Sequence, residues 1–154
     1  MRDSGSGVGR PAIRSYDDLE CYQRAMKLLA PVHTLALSFP EYERYELASQ
    51  LRRACKSVLA NIAEGYGKKA SAREFKAYLN NALGSANEVI VHLKIANELG
   101  YARDAGSVDD LIAGYTVVAR QLYRLREAWR DFSMHESNAI PSPASRVSHP
   151  NKEE

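Results

Sequence analysis

Apolar residues at Phe75, Leu79, Ala82, Ala86, Val89, Leu93 and Ala96 step by four, three, four, three, four and three. An unbroken seam of that period predicts one long helix with a single core-facing stripe. Ser71-Ala-Arg-Glu74 has the pattern of a capping box at its start, and Gly100 closes it. The stepping returns at Leu111, Tyr115, Val118, Leu122, Leu125, Trp129 and Phe132, after Ser107-Val-Asp-Asp110, which reads as another helix start. Upstream, Leu47, Leu51, Ala54, Val58 and Ile62 predict a helix from about Tyr42 to Glu64, closed by Gly65 and Gly67 in the left-handed conformation. The first helix is expected after Ser15 and Asp18, along Leu19, Tyr22, Met26, Leu29, Val32 and Ala36, and ends at Phe39-Pro40. Pro31 falls inside it and is expected to kink or divide it.

No strand pattern competes for any of these segments. Four helices of roughly 20 to 27 residues on short connections predict an all-α fold, an antiparallel up-down-up-down four-helix bundle. The 154 residues suit one domain with an adequate core. Residues 1–14 and 134–154, rich in Gly, Ser and Pro, read as an arm and a tail without packed structure, which leaves 15–133 for the bundle.

Beside the apolar seams run two ordered polar stripes. Gln50, Arg53, Ser57, Asn61 and Glu64 form one on the second helix, and Tyr78, Asn81, Ser85, Glu88 and His92 form the other on the third. Gly84 sits mid-helix next to Ser85, where glycine costs about 1 kcal/mol relative to alanine, so a close backbone neighbour is expected there. A second seam of small and polar residues is read as an oligomer interface, involving Gln50, Arg53, Ser57, Asn61, Glu64, Gly84, Ser85 and Glu88. The alternative is a solvated flank.

Charge changes the picture only locally. Lys plus Arg number 21 and Asp plus Glu 19, yet Arg52 to Lys76 holds seven bases against two acids. Arg52, Lys56, Lys68, Lys69, Arg73 and Lys76 are therefore candidates for nucleic-acid contact at a positive end of the bundle. Tyr66 between Gly65 and Gly67 is the candidate to stack on an unpaired base, or else packs over the helix terminus. Exposed lysines that only solubilise are the competing account. Arg120, Arg124, Arg126 and Arg130 on the fourth helix suit either RNA or a protein partner, or else simply pair with nearby acids.

Catalysis finds little support. Glu88-x-x-x-His92 is not the Glu-x-x-His spacing of di-iron bundles, and Gly65-Tyr-Gly-Lys68 lacks the phosphate-cradling loop pattern. Cys21 and Cys55 have no evident base and read as packing thiols. The expectation is a protein without enzymatic activity, metal or cofactor. No apolar run approaches the ~18 residues of a membrane span, so no membrane partner and a cytoplasmic location are expected.

The chain resembles the four-helix-bundle proteins encoded in intervening sequences of bacterial 23S ribosomal RNA. The resemblance rests on Tyr16-Asp-Asp-Leu19, Ala25, Phe39-Pro40, Glu43-Arg-Tyr45, Ser49-Gln-Leu-Arg-Arg-Ala54, Ser57-Val58, Ala60-Asn-Ile-Ala-Glu-Gly65, Phe75, Tyr78-Leu79, Ala82, Gly84-Ser85, Glu88 and Leu99-Gly-Tyr101. The chain departs from the family at Leu59, where proline is usual. The resemblance implies an antiparallel bundle that assembles into a homo-oligomeric ring, typically a homopentamer. It also implies kinship with the accessory proteins of diversity-generating retroelements, whose bundles bind nucleic acid and a reverse transcriptase. The expected function is thus non-catalytic binding of structured RNA or a ribonucleoprotein through a basic end, with a protein-protein scaffold or reverse-transcriptase accessory subunit as the alternative.

Overall fold

The computed structural model describes residues 12–137, and side chains as far as Trp129. Four helices account for most of them: α1 (Glu20–Leu37), α2 (Leu47–Gly67), α3 (Ala72–Glu98) and α4 (Ala105–Ser137). Short 3-10 turns at Tyr16–Asp18 and Glu41–Glu43 precede α1 and α2, and no strand occurs among the described residues. The helices pack cyclically, α1 on α2, α2 on α3, α3 on α4 and α4 on α1, around one shared core.

Every seam position of α3 from Phe75 to Ala96 is buried, as are Leu47, Leu51, Ala54, Val58 and Ile62 of α2 and Leu111, Tyr115, Val118 and Leu122 of α4. The period of the sequence therefore locates three helix faces directly. In the first helix Leu19, Val32 and Ala36 are buried as expected, but the first turns of α1 face the core through other residues. Cys21, Ala25, Val32 and Ala36 are buried, whereas Met26 is exposed and Tyr22 half-buried. Small residues let α1 sit close to its neighbours, and the larger side chains then lie at the rim.

The helix ends follow local chemistry. Ser15 and Asp18 form a reciprocal capping box, but on the 3-10 turn and not on α1 itself, which starts after Leu19. α1 continues through Pro31 and is not divided there; Pro31 is exposed on the helix. Ser71 caps α3 through the Glu74 N–H, which donates to its Oγ. At the other end Gly100 takes φ of 70°, the Gly100 N–H donates to the Asn97 carbonyl and the Tyr101 N–H to the Ala96 carbonyl. That paired closure is the Schellman arrangement, and it needs a residue free of a Cβ penalty at Gly100.

Three expected boundaries are corrected. α2 begins at Leu47, not near Tyr42, because Glu41–Glu43 forms a separate turn and the buried Glu43 carboxylate receives the Leu47 N–H at 3.1 Å. α2 also runs through Gly65 and Gly67 without a left-handed residue; Gly100 is the one described glycine with positive φ. α4 begins at Ala105, where Asp104 Oδ1 accepts the Gly106 N–H, and extends to Ser137, into the segment read as tail. The remainder of the arm and tail, 1–11 and 138–154, lies outside the described residues.

Candidate functional site

The junction of α2 and α3 carries the densest positive charge. α2 ends at Gly67, and the next six positions include Lys68, Lys69 and Arg73, all exposed. The Lys69 ammonium sits 3.9 Å from the centroid of the Tyr66 ring, and that of Lys68 5.5 Å from the Tyr78 ring. Both heads thus rest over aromatic faces and not against carboxylates. Neither these lysines nor Arg73 makes an ion pair among the described residues. Lys76 is half-buried one turn into α3.

Tyr66 does not offer an open ring. It is 9% exposed, meets Phe75 edge-on at 6.3 Å and carries Lys69 on one face. Its place is the packing one, over the end of α2. Nor do Arg52 and Lys56 belong to this cluster. They lie 12 to 16 residues before Lys68 on the same helix, roughly 18–24 Å away along its axis at 1.5 Å per residue. Arg52 there donates to the Arg44 carbonyl at 3.3 Å. The basic run of the sequence is thus split between the first half of α2 and the junction that follows its end.

The polar stripes also divide. Ser57 Oγ lies 2.9 Å from Ser85 Oγ, and Asn61 Nδ2 donates to the Ser57 carbonyl and hydroxyl at 2.9 and 3.1 Å. These three residues are half-buried where α2 meets α3, so much of their hydrogen bonding is met within the chain. Gln50, Arg53, Glu64, Gly84 and Glu88 are exposed. Tyr78 donates to Glu64 at 3.2 Å, and His92 Nε2 lies 3.2 Å from Glu88 Oε1. A Cβ on Gly84 would meet nothing within 4 Å, so the close backbone expected there is absent from this chain. The close approach occurs instead at Gly65, whose added Cβ would lie 2.5 Å from Tyr78 Cβ.

At the opposite end three segments named for their family resemblance converge. Tyr101 donates to the buried Glu43 carboxylate at 2.8 Å, Tyr42 donates to the Tyr101 hydroxyl at 3.3 Å, and the Phe39 and Tyr101 rings lie 5.7 Å apart. The hydrogen bonds to Tyr42 and then to Glu43 raise the Tyr101 phenol above its ordinary range. Sequence patterning alone gave no role to Glu43, since a charged residue in a short connection ordinarily faces water.

A family model described as the 23S rRNA-intervening sequence protein matches residues 17–124, more than two thirds of the chain. The chain belongs to this family. The matched region includes the Glu43–Tyr101 contact, the α2–α3 junction and nearly all of the buried core of the intervening-sequence protein. A search of curated proteins returned no match.

The thiols of this intervening-sequence protein are packing groups. Cys21 is 2% exposed and burial pushes its thiol up to about 11, while burial also raises that of Cys55. Cys55 Sγ lies 3.9 Å from His33 Nδ1, but that nitrogen is 3.1 Å from the Leu29 carbonyl and the sulfur faces the Arg52 carbonyl at 3.2 Å. Among the described residues no group of three His, Cys, Asp or Glu side chains is placed to hold a metal ion, and no helix is long and apolar enough to cross a membrane.

Proposed function

We propose that this intervening-sequence protein is a non-catalytic, self-assembling bundle that binds structured RNA through the α2–α3 junction. The observation that carries the reading is the group Lys68, Lys69 and Arg73, exposed together and unpaired by carboxylates among the described residues. Cations not neutralised by carboxylates are available to phosphates, and each phosphate contact releases counterions.

Ser57 with Ser85 and Glu64 with Tyr78 between α2 and α3, and Phe75 with Trp129 and Asn80 with Arg126 between α3 and α4, pair rising numbers on one helix with falling numbers on the next, which supports the up-down-up-down course. Assembly into a ring, five-membered in keeping with the family, is supported by a second seam on α3. Ala77, Asn81, Gly84, Glu88, Val91 and Ile95 keep the four-three stepping and are all exposed. An exposed helix face with that spacing suits another helix.

The test is a titration of the protein into a labelled RNA hairpin at about 0.05 and 0.2 M salt, a range over which several phosphate contacts cost orders of magnitude in affinity. Tight, salt-steep binding that is lost in the Lys68→Glu/Lys69→Glu/Arg73→Glu variant is expected. Absence of binding at the lower salt sinks the proposal.

A second reading, a scaffold or reverse-transcriptase accessory subunit, draws support from the other end of the molecule. Leu37, Tyr42 and Tyr45 are 80%, 70% and 82% exposed, and Arg44 lies over the Tyr45 ring at 5.5 Å. Tyrosine and arginine are the residues that most often anchor protein interfaces.

A further inference from the structure

Between α3 and α4 the surface opens into a groove of about 310 Å³. Half-buried Leu83, Ile90 and Ala119 are among the residues that line it, as are Arg120, Tyr123 and Arg124, which are exposed. We infer that this groove seats an unpaired nucleotide segment of the RNA, with the Tyr123 ring stacking on a base and Arg120 and Arg124 holding the flanking phosphates. The inference rests on the RNA-binding reading and extends the contact surface from the α2–α3 junction along α4.

Three features select this occupant. The first is an available aromatic face. Tyr123 is 52% exposed, in contrast to the buried Tyr66, and Arg126 lies 5.0 Å from its centroid. Arg126 is itself held by Asn80 Oδ1 at 2.6 Å and by Glu127 at 3.4 Å, so the ring is braced by a fixed cation. Base stacking on such a platform tolerates any base, because every base has a π-face.

The second is charge. Arg120 and Arg124 lie one helical turn apart on the groove and are engaged by no carboxylate among the described residues. Glu127, the acid nearest in sequence, is already paired with Arg126. The third is continuity. Asn80 marks where α3 meets Arg126, and Lys76 and Arg73 precede it by one and two turns on α3. Positive charge therefore runs from the junction into the groove. The apolar floor of Leu83, Ile90 and Ala119 suits the planar, hydrophobic face of an unstacked base, and the two arginines one turn apart suit the phosphates on either side of it.

The test compares two labelled RNAs by fluorescence anisotropy, a hairpin with an unpaired loop and a duplex of the same stem with no loop. Tyr123→Ala is expected to weaken hairpin binding by about tenfold or more and leave the duplex unchanged, and Tyr123→Phe is expected to bind like the parent. Arg120→Gln/Arg124→Gln is expected to lower the slope of log affinity against log salt by about 1.4, two single-strand phosphates. All three positions are exposed, and an unchanged helical circular-dichroism signal checks the fold.

If Tyr123→Ala binds the hairpin as the parent does while the Lys68→Glu/Lys69→Glu/Arg73→Glu variant fails, the groove is wrong and the junction stands. If the parent protein binds neither RNA at about 0.05 M salt, both are overturned and the groove is left to a protein partner.

Discussion

Gly65 of α2 rests directly against Tyr78 of α3: a Cβ at Gly65 would lie 2.5 Å from the Tyr78 Cβ and 3.2 Å from Phe75 Cδ2. The Tyr78 Cβ is fixed to its backbone and cannot swing aside, so any side chain at position 65 forces the two helices apart. Nearby, Ser57 meets Ser85 and Tyr78 meets Glu64, so the same contact sets the register of the α2–α3 pair.

Gly65→Ala is therefore expected to destabilise the fold by about 1–3 kcal/mol, the usual range for overpacking a tight contact. Gly114→Ala is the control. Its added Cβ would meet the Leu28 methyls at 2.8 and 3.0 Å, and these can rotate, so alanine's helix propensity of about 1 kcal/mol offsets much of the clash. Urea denaturation of both variants checks the contrast. Equal stability of Gly65→Ala and the parent would refute the role assigned to the contact.

This contact also marks where sequence reading stops. The stepping of α3 is a property of one helix, and each of its seam residues is buried as expected. Gly65 has a function only in relation to Tyr78, thirteen residues on and on another helix, so from sequence it reads as a terminator. Tyr66 reads as either a stacking or a packing ring for the same reason, because its burial depends on Phe75 and Lys69 arriving over it. In α1 the larger residues Tyr22 and Met26 fit a helical period, but Cys21 and Ala25 face the core since neighbouring helices approach too closely for bulk. The basic run was legible as composition, and its division between the first half of α2 and the α2–α3 junction emerges only from helix length. Arg120 and Arg124 were legible as candidates for RNA or a protein partner, but Tyr123 lacked a local signal, as a groove needs two helices.

Tyr115 is fully buried, and its hydroxyl has no hydrogen-bond partner among the described residues. Burial first, and the nearby Cys55 thiol second, raise its phenol above the ordinary value of 10. A raised folded value means that the unfolded chain loses its proton first. The contribution of Tyr115 to stability is therefore fully present below about pH 10 and is lost as the pH rises from there toward the folded value. Tyr115→Phe is expected to flatten that alkaline loss and, by removing an unsatisfied hydroxyl, to stabilise the protein at neutral pH by about 1 kcal/mol. Melting temperatures from pH 7 to 11 test both. A phenylalanine variant that melts lower than the parent at pH 7 would mean that the hydroxyl is served within the fold.

Glu43 joins the start of α2 to the connection that follows α3, accepting from the Leu47 N–H and the Tyr101 hydroxyl. Glu43→Ala leaves a helix-start donor and a phenol without their acceptor and is expected to cost about 1.5–3 kcal/mol, the range for hydrogen bonds to a charged group. Tyr101→Phe should cost less, because the carboxylate keeps the Leu47 N–H. Since the two residues share one bond, the double variant should lose less than the sum of the singles. Hydrogen exchange at the Leu47 amide offers an independent reading: it should accelerate in Glu43→Ala and stay slow in Tyr101→Phe.

The proposed self-assembly through α3 separates two kinds of polar residue that the sequence groups together. Asn61 spends its amide on the Ser57 carbonyl and hydroxyl, and Ser57 in turn meets Ser85, all inside one chain. Val91 and Ile95 are 52% and 39% exposed on the outward seam, where a water-facing apolar pair gains most from a second copy. Native mass spectrometry should therefore find the parent multimeric and Val91→Glu/Ile95→Glu monomeric with unchanged helicity. Asn61→Leu should keep the parent stoichiometry while losing stability through the unserved Ser57. If Asn61→Leu dissociates and Val91→Glu/Ile95→Glu does not, the interface lies over the α2–α3 contact, and the exposed seam has some other partner.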